Sequence, residues 1–329
     1  MDRYARILDG LDVDHGRGLE IGALHNPVVP VDRDVLHVDH ASTEDLRAKY
    51  ADDPAVVDMV DVDVVWTDRG LRRELDEVAG EGATVDYVVA SHVVEHVPDL
   101  VGWLAELAAV LRPGGSLSLA VPDKRFCFDA RRRVTDVSEV VDAHLSGRRR
   151  PSLAATFDFW THYDQVDAAA LWAGAAPPPA EPLRDVEALE RTRAAADSSD
   201  YHDVHAWVFT PASFLGILDR LAGVDLLPPF ELGSFAATRP GEIEFFARLV
   251  RLDDARPADE RRARQAASIA RARAALAPED PPSTDGEVAV PAIAVAAALS
   301  ERELRLIRAK RAVMERLRRV ADRRPAHPR

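Results

Sequence analysis

Short apolar runs and helical patterns alternate through the first 120 residues. Gly18-Leu-Glu-Ile-Gly22 reads as a strand ending at glycine, and Val35-Leu-His-Val-Asp39 as a strand ending in an acid. Residues 56–65 offer a third strand with vague limits, because Asp and Val alternate through it. Residues 85–90 and 116–121 offer a fourth and a fifth, the last closed by Pro122. Helical patterns lie between them. One covers 42–51, opened by Ser42-Thr43 with Glu44 and Asp45 in its first turn; others cover 69–79 and 99–111, the latter stopped by Arg112-Pro-Gly-Gly. Strand, helix and strand at this pitch predict βαβ units and a parallel sheet. Right-handed crossovers then place a ligand crevice at the carboxyl ends of the strands.

From Asp123 to about residue 204 the alternation stops, and so long a departure predicts an insertion or lid. It holds an amphipathic segment at 134–145, an aromatic cluster (Phe157, Phe159, Trp160, Tyr163) and a Pro-rich loop at 175–182. The sheet rhythm then resumes. Thr210-Pro211 starts a helix running to about Leu221, and 224–232 with 242–252 predict an antiparallel hairpin that closes the sheet. Beyond lie a helix near 257–277, a Pro-rich linker at 278–286 and a long helix at 295–324. In that last helix Leu304, Ile307, Val313, Met314, Leu317 and Val320 share a face among arginines.

Charge divides this pattern in two. The 329 residues carry 42 basic and 56 acidic side chains, a net of −14. Residues 256–329 hold 17 basic and 10 acidic residues, leaving 25 and 46 for residues 1–255. The sequence therefore predicts an acidic body at 1–255 and a basic helical tail at 256–329, the tail serving homo-oligomer or partner contact. The acidic total argues against non-specific nucleic-acid binding. With no run of about 18 apolar residues and no apolar stretch near the N-terminus, the expectation is a cytoplasmic protein without a transmembrane segment. Cys127, the only cysteine, excludes an intrachain disulfide and a cysteine-built zinc site.

Asp39 stands 17 residues beyond Gly22, at the end of the second predicted strand. Such a strand–glycine–helix–strand–acid order serves any adenosine-containing cofactor, the acid accepting from ribose hydroxyls. Two further segments follow in order: Asp86-Tyr-Val-Val-Ala-Ser-His-Val-Val-Glu-His-Val-Pro-Asp99 and Leu111-Arg-Pro-Gly-Gly-Ser-Leu-Ser-Leu-Ala-Val-Pro-Asp123. Together with Leu19-Glu-Ile-Gly-Ala-Leu-His-Asn-Pro27 they resemble the class I S-adenosylmethionine-dependent methyltransferases of the broad group called type 11. The resemblance implies a Rossmann-like, doubly wound, seven-stranded and mostly parallel α/β sheet. It assigns Glu20, Gly22 and Ala23 to the methionine end of the cofactor, Asp39 to its ribose, Asp63 to the neighbourhood of adenine, and Ser91-His92 to its side. His96 reads as a residue that orients this segment. The chain departs from the usual Glu-x-Gly-x-Gly-x-Gly at Leu24 and Asn26, whose Cβ atoms leave less room for a pyrophosphate. That places an NAD-type reductase last among the readings.

Methylating a hydroxyl requires collinear nucleophile, methyl and sulfur, and a group that takes the proton. Neutral histidine suits this at neutral pH, and His205 and His144 are the catalytic candidates, ahead of Asp123, Asp129, His162, His202 and Asp203. The same His and Asp residues permit a divalent metal, although no ligand spacing specifies one. The first-motif variant, Val121-Pro-Asp-Lys-Arg-Phe and Asp203-Val-His205-Ala-Trp resemble a subgroup met in glycan or polysaccharide assembly. Phe126, Phe128, Phe157, Trp160 and Trp207 would then face a sugar, and Lys124 with Arg125 an acidic acceptor. The reading is O-methylation of a sugar or glycan hydroxyl. Its rivals are O- or N-methylation of a small natural-product scaffold, and a non-catalytic partner that keeps the fold.

Overall fold

The computed structural model describes residues 2–51, 58–163, 165–177 and 184–276. Seven strands form one sheet: β1 (Gly18–Ile21), β2 (Val35–Asp39), β3 (Val64–Val65), β4 (Val85–Ser91), β5 (Leu111–Pro122), β6 (Phe230–Ala236) and β7 (Glu244–Arg251). Their order is β3-β2-β1-β4-β5-β7-β6. The first five are parallel, and β7 runs antiparallel to both β5 and β6. This is the mixed, mostly parallel doubly wound sheet that the alternation predicts. β1 is buried along its whole length, and β4 and β5 nearly so, as expected where helices cover both faces. The strand order reverses between β1 and β4, which opens a crevice at their carboxyl ends.

Three of the predicted helices begin at side-chain caps. Ser42 accepts from Asp45 N ahead of α2 (Thr43–Lys49), Asp99 from Gly102 N ahead of α4 (Leu100–Val110), and Thr210 forms a capping box before Pro211 in α9 (Pro211–Gly223). A further helix, α3 (Leu71–Ala79), buries Leu71 and Leu75. The amino-terminal α1 (Arg3–Ile7), capped by Asp2, has only five residues, too few for a periodic signal.

The departure at 123–204 is helical. It contains a 3-10 turn at Lys124–Phe126, then α5 (Val137–Leu145), α6 (Leu153–His162), α7 (Ala168–Trp172) and α8 (Arg184–Asp197). The first hairpin strand starts later than the pattern suggests, at Phe230 rather than 224. The residues before it include Asp225 at φ +60° and Pro228-Pro229, which offers no amide donors to a ladder.

The first compact unit runs Met1–Ala277, so the body extends beyond the boundary at 255 that charge suggested. The reason is α10 (Ala258–Ala275), which packs on β6 and α9. Ser268 Oγ accepts from Leu232 N at 3.0 Å, Gln265 Nε2 donates to Pro228 O at 2.9 Å, and Ile269 is buried. Its arginines meet body acids, Arg264 with Glu231 and Arg273 with Asp219. Part of the basic segment is thus neutralised on the acidic body. The long helix expected at 295–324 lies outside the described residues.

The Arg112-Pro-Gly-Gly turn is fastened by Arg112 Nε donating to Asp86, which also accepts from Arg17 N at 2.8 Å. The Arg112 hydrogen bond holds the Asp86 carboxyl below its ordinary value of 3.8. Stability from this pair is therefore present at neutral pH and lost as the pH falls below 3.8 through the lowered folded value. Because Arg112 is half exposed, Arg112→Ala should cost under about 1 kcal/mol. Urea unfolding should show that difference at pH 7 and its disappearance at the acid end; a difference that persists in acid would contradict the assignment.

Candidate functional site

β1 ends in a turn that cannot follow the strand path. Gly22 sits at φ +69° and donates its amide to Val38 O at 2.9 Å. Leu24 takes φ +47°, a left-handed conformation that costs a side-chain-bearing residue about 1–2 kcal/mol. It occupies a place where the usual motif has glycine. The loop beyond is held by Glu20, a buried carboxylate accepting from Val28 N at 2.6 Å and Val29 N at 2.9 Å. Burial pushes the Glu20 carboxyl up from its usual value, against the pull of those two amides. Glu20 thus shapes the loop that carries Gly22 and Ala23.

Beyond the carboxyl ends of β1, β2 and β4 lies a cleft of about 910 Å³, lined by Gly22, Asp39, Trp66, His96, Trp103 and Tyr201 among others. A second cavity of about 510 Å³ shares Ile21, Gly22, Leu24 and His92 with it and adds Arg3, Ala23, Ser91 and Glu244. Asp39 is 8 % exposed and accepts from His40 N at 2.7 Å. Arg3 bridges Glu244 at 2.7 Å and Ser91 Oγ at 2.5 Å, while His92 Nε2 meets Glu244 at 2.7 Å. Helix α1 therefore closes one end of the cavity. Sequence reasoning missed Arg3 and Glu244, which act only through contacts 241 residues apart.

Asp63 is not at this site. It precedes β3, at the amino end of the strand, and accepts from His37 N at 2.8 Å. Neither cavity is lined by it; Trp66, Thr67 and Asp68, which follow β3, line the cleft in its place. Trp66 stacks on Trp103 with centroids 6.5 Å apart and donates its indole N–H to Glu106 at 2.9 Å.

The two catalytic candidates fall elsewhere than expected. His144 pairs with the α4 cap Asp99 at 3.1 Å and does not line the cleft. His205 is buried and also absent from the cleft wall; its Nδ1 meets Asp129 at 2.6 Å. The imidazoles on the cleft wall are His40, His92 and His96, and His96 is set edge-to-face on His205 with centroids 4.6 Å apart. His96 Nδ1 lies 2.8 Å from Asp203. Burial pulls the His96 pKa down, but the Asp203 hydrogen bond and the Glu95 charge outweigh it and leave it raised. The His96 hydrogen bond in turn holds the Asp203 carboxyl well below its usual range. Distant segments meet here because 201–207 is stitched to 95–97. Trp207 N donates to Glu95 O at 3.1 Å, Trp207 Nε1 to Val97 O at 2.6 Å, and Tyr201 Oη to His96 O at 3.0 Å.

The insertion aromatics mostly face one another. Phe126 stacks on Trp172 with centroids 3.7 Å apart, and Phe128, Phe159, Trp160 and Tyr163 form a connected cluster. Trp207 is buried. Lys124 is buried as well, and Arg125 folds back onto Asp123.

Residues 2–172 match a family model described as "Methyltransferase domain". Among curated proteins, a Ubiquinone biosynthesis O-methyltransferase from Methylocella silvestris is 32 % identical over 133 residues, 39 % of this chain and 47 % of that protein. The chain thus spans about half the length of the curated relative it matches. Among solved structures, a zinc-dependent alcohol dehydrogenase from Rhodobacter sphaeroides aligns with TM-score 0.39 and 14 % identity, over 77 % of this chain and 91 % of that one. A methyltransferase from Methanosarcina mazei aligns with TM-score 0.34 and 15 % identity, over 77 % and 99 %. At such scores neither structure bears on the chemistry.

Proposed function

This chain belongs to the methyltransferase-domain family, that of S-adenosylmethionine-dependent methyltransferases, and on that premise we propose that it methylates a hydroxyl oxygen of a small acceptor. The observation that carries the reading is the cleft at the β1/β4 switch point, with Asp39 set opposite the Gly22 turn. Its volume falls in the range of small-molecule sites. Asp39 offers a carboxylate to ribose hydroxyls. Trp66 and Trp103 offer flat apolar faces to a base. Arg3 and Glu244 present opposite charges at the far end, as a zwitterionic amino-acid group requires. Leu24 and Asn26 crowd the place where a pyrophosphate would lie.

When bound, S-adenosylmethionine supplies an electrophilic methyl group on a sulfonium sulfur. The acceptor oxygen forms the new C–O bond, the C–S electrons return to sulfur, and the hydroxyl proton must leave. On the cleft wall, His92 stands where that proton would go. Oxygen as the accepting atom draws support from the likeness to an O-methyltransferase of ubiquinone biosynthesis. A sugar acceptor draws less, because the insertion aromatics that would face it pack on each other.

Transfer of labelled methyl from S-adenosylmethionine into a panel of phenols, sugars and amines tests the reading. Label in a hydroxyl-bearing acceptor is expected, whichever ring carries it. Label confined to amines would overturn it.

A further inference from the structure

Behind His96 lies a buried carboxylate without a hydrogen bond. Glu95 is 1 % exposed, and among the described residues neither of its side-chain oxygens has a hydrogen-bond partner. A bare carboxylate in such a place is costly. Around it, at 3.9 Å from Oε1, stand His96 Nε2 and His205 Nε2, too far for hydrogen bonds and suitably placed for a shared ion. The three ligand atoms lie within 4.8 Å of one another. His92 Nδ1 also stands 3.9 Å from the same oxygen.

The far side of each ring is fixed by an acid. His205 Nδ1 meets Asp129 at 2.6 Å, and Asp129 is itself anchored by Arg132 at 2.9 Å. His96 Nδ1 meets Asp203 at 2.8 Å, and Asp203 faces Lys49. A carboxylate behind a histidine sets its tautomer and aims the other nitrogen, the usual outer arrangement around a bound metal. Both Nε2 atoms are thereby aimed at Glu95.

We infer that Glu95, His96 and His205 form a binding site for one divalent transition-metal ion. Two imidazoles and one carboxylate suit a borderline ion of the zinc class better than calcium or magnesium, which prefer oxygen. Ligand atoms of a tetrahedral site with bonds of about 2.0–2.1 Å lie about 3.4 Å apart. Glu95 and each imidazole therefore close by about half an ångström on the ion. Three protein ligands leave an open position, and His96 carries the site to the cleft wall. The open position takes the acceptor hydroxyl and lowers its pKa, its proton passing to His92 on the cleft wall; this role, unlike the site itself, rests on the O-methylation reading.

The test is titration of the chelator-stripped full chain with Co²⁺, read by visible absorption and by thermal melting. The wild type should bind one equivalent and gain melting temperature with metal. Glu95→Gln keeps the shape and removes the buried charge, so the stripped variant should melt no lower than the stripped wild type. It should show neither the cobalt bands nor the metal-dependent gain. Asp203→Asn should weaken Co²⁺ binding by about 10- to 100-fold, and His162→Ala, outside the cluster, should leave it unchanged. Absence of binding by the wild type at millimolar Co²⁺, or wild-type binding by a folded Glu95→Gln, overturns the site. Metal binding without label in any hydroxyl acceptor leaves the site standing and removes the O-methylation reading.

Discussion

Arg132→Met should lower the folding free energy by about 3–5 kcal/mol, among the largest single-residue effects in the body. The guanidinium is 2 % exposed and every edge of it is used. Its Nε donates to Asp158 at 2.7 Å, one terminal nitrogen to Asp129 at 2.9 Å, and the other to His205 O at 3.0 Å. It also lies over the Phe159 ring, 5.5 Å from the centroid. Methionine preserves the apolar stem but leaves Asp129 buried with one cation fewer. At about 2–4 °C per kcal/mol for a body of this size, the melting temperature should fall by roughly 10 °C. Adding Asp129→Asn removes the stranded charge and should recover part of the loss, a coupling that a double-mutant cycle reads directly. A fall of only a degree or two for the single variant would mean that these ion pairs do not hold the insertion together.

Asp39→Ala should weaken binding of S-adenosylhomocysteine, the product cofactor, by about 10- to 100-fold, the usual worth of a hydrogen bond to a charged group. Asp39 ends β2 and is 8 % exposed, and it faces the cleft beside His40. Its backbone carbonyl accepts from Trp66 N at 2.7 Å, so the main chain is held whatever the side chain is. The fold should therefore survive the substitution, and melting without ligand should change little. Affinity within about threefold of wild type would take the ribose away from Asp39.

Much of this architecture was legible because local signals agree with the global fold. The caps at Ser42, Asp99 and Thr210 are real caps, and the alternation at residues 18–121 gives five parallel strands. The insertion was not legible. α6 and α8 bury Thr156, Phe159, Ala188 and Ala195, small or isolated positions that make no periodic stripe. Asp63 was misplaced because alternating Asp and Val do not reveal where β3 begins. That strand is only Val64–Val65, so the residues at its carboxyl end are Trp66 to Asp68. α10 was assigned to a tail by its charge, while its contacts with β6 come from Gln265, Ser268 and Ile269.

The histidines show the same limit. A sequence pattern that pointed to His205 could not tell that it stands behind His96, since that depends on the stitching of 201–207 to 95–97. Glu95 was passed over in a motif whose histidines drew the chemistry. Nothing in its neighbours along the chain says that its carboxylate lacks a hydrogen-bond partner among the described residues; only the fold brings His205 to it.

Calorimetric titration of the wild-type chain with S-adenosylhomocysteine, and separately with NAD, decides which cofactor the cleft takes. One saturable site per chain is expected for S-adenosylhomocysteine, and no binding of NAD. Tight binding of NAD with none of S-adenosylhomocysteine would contradict that expectation.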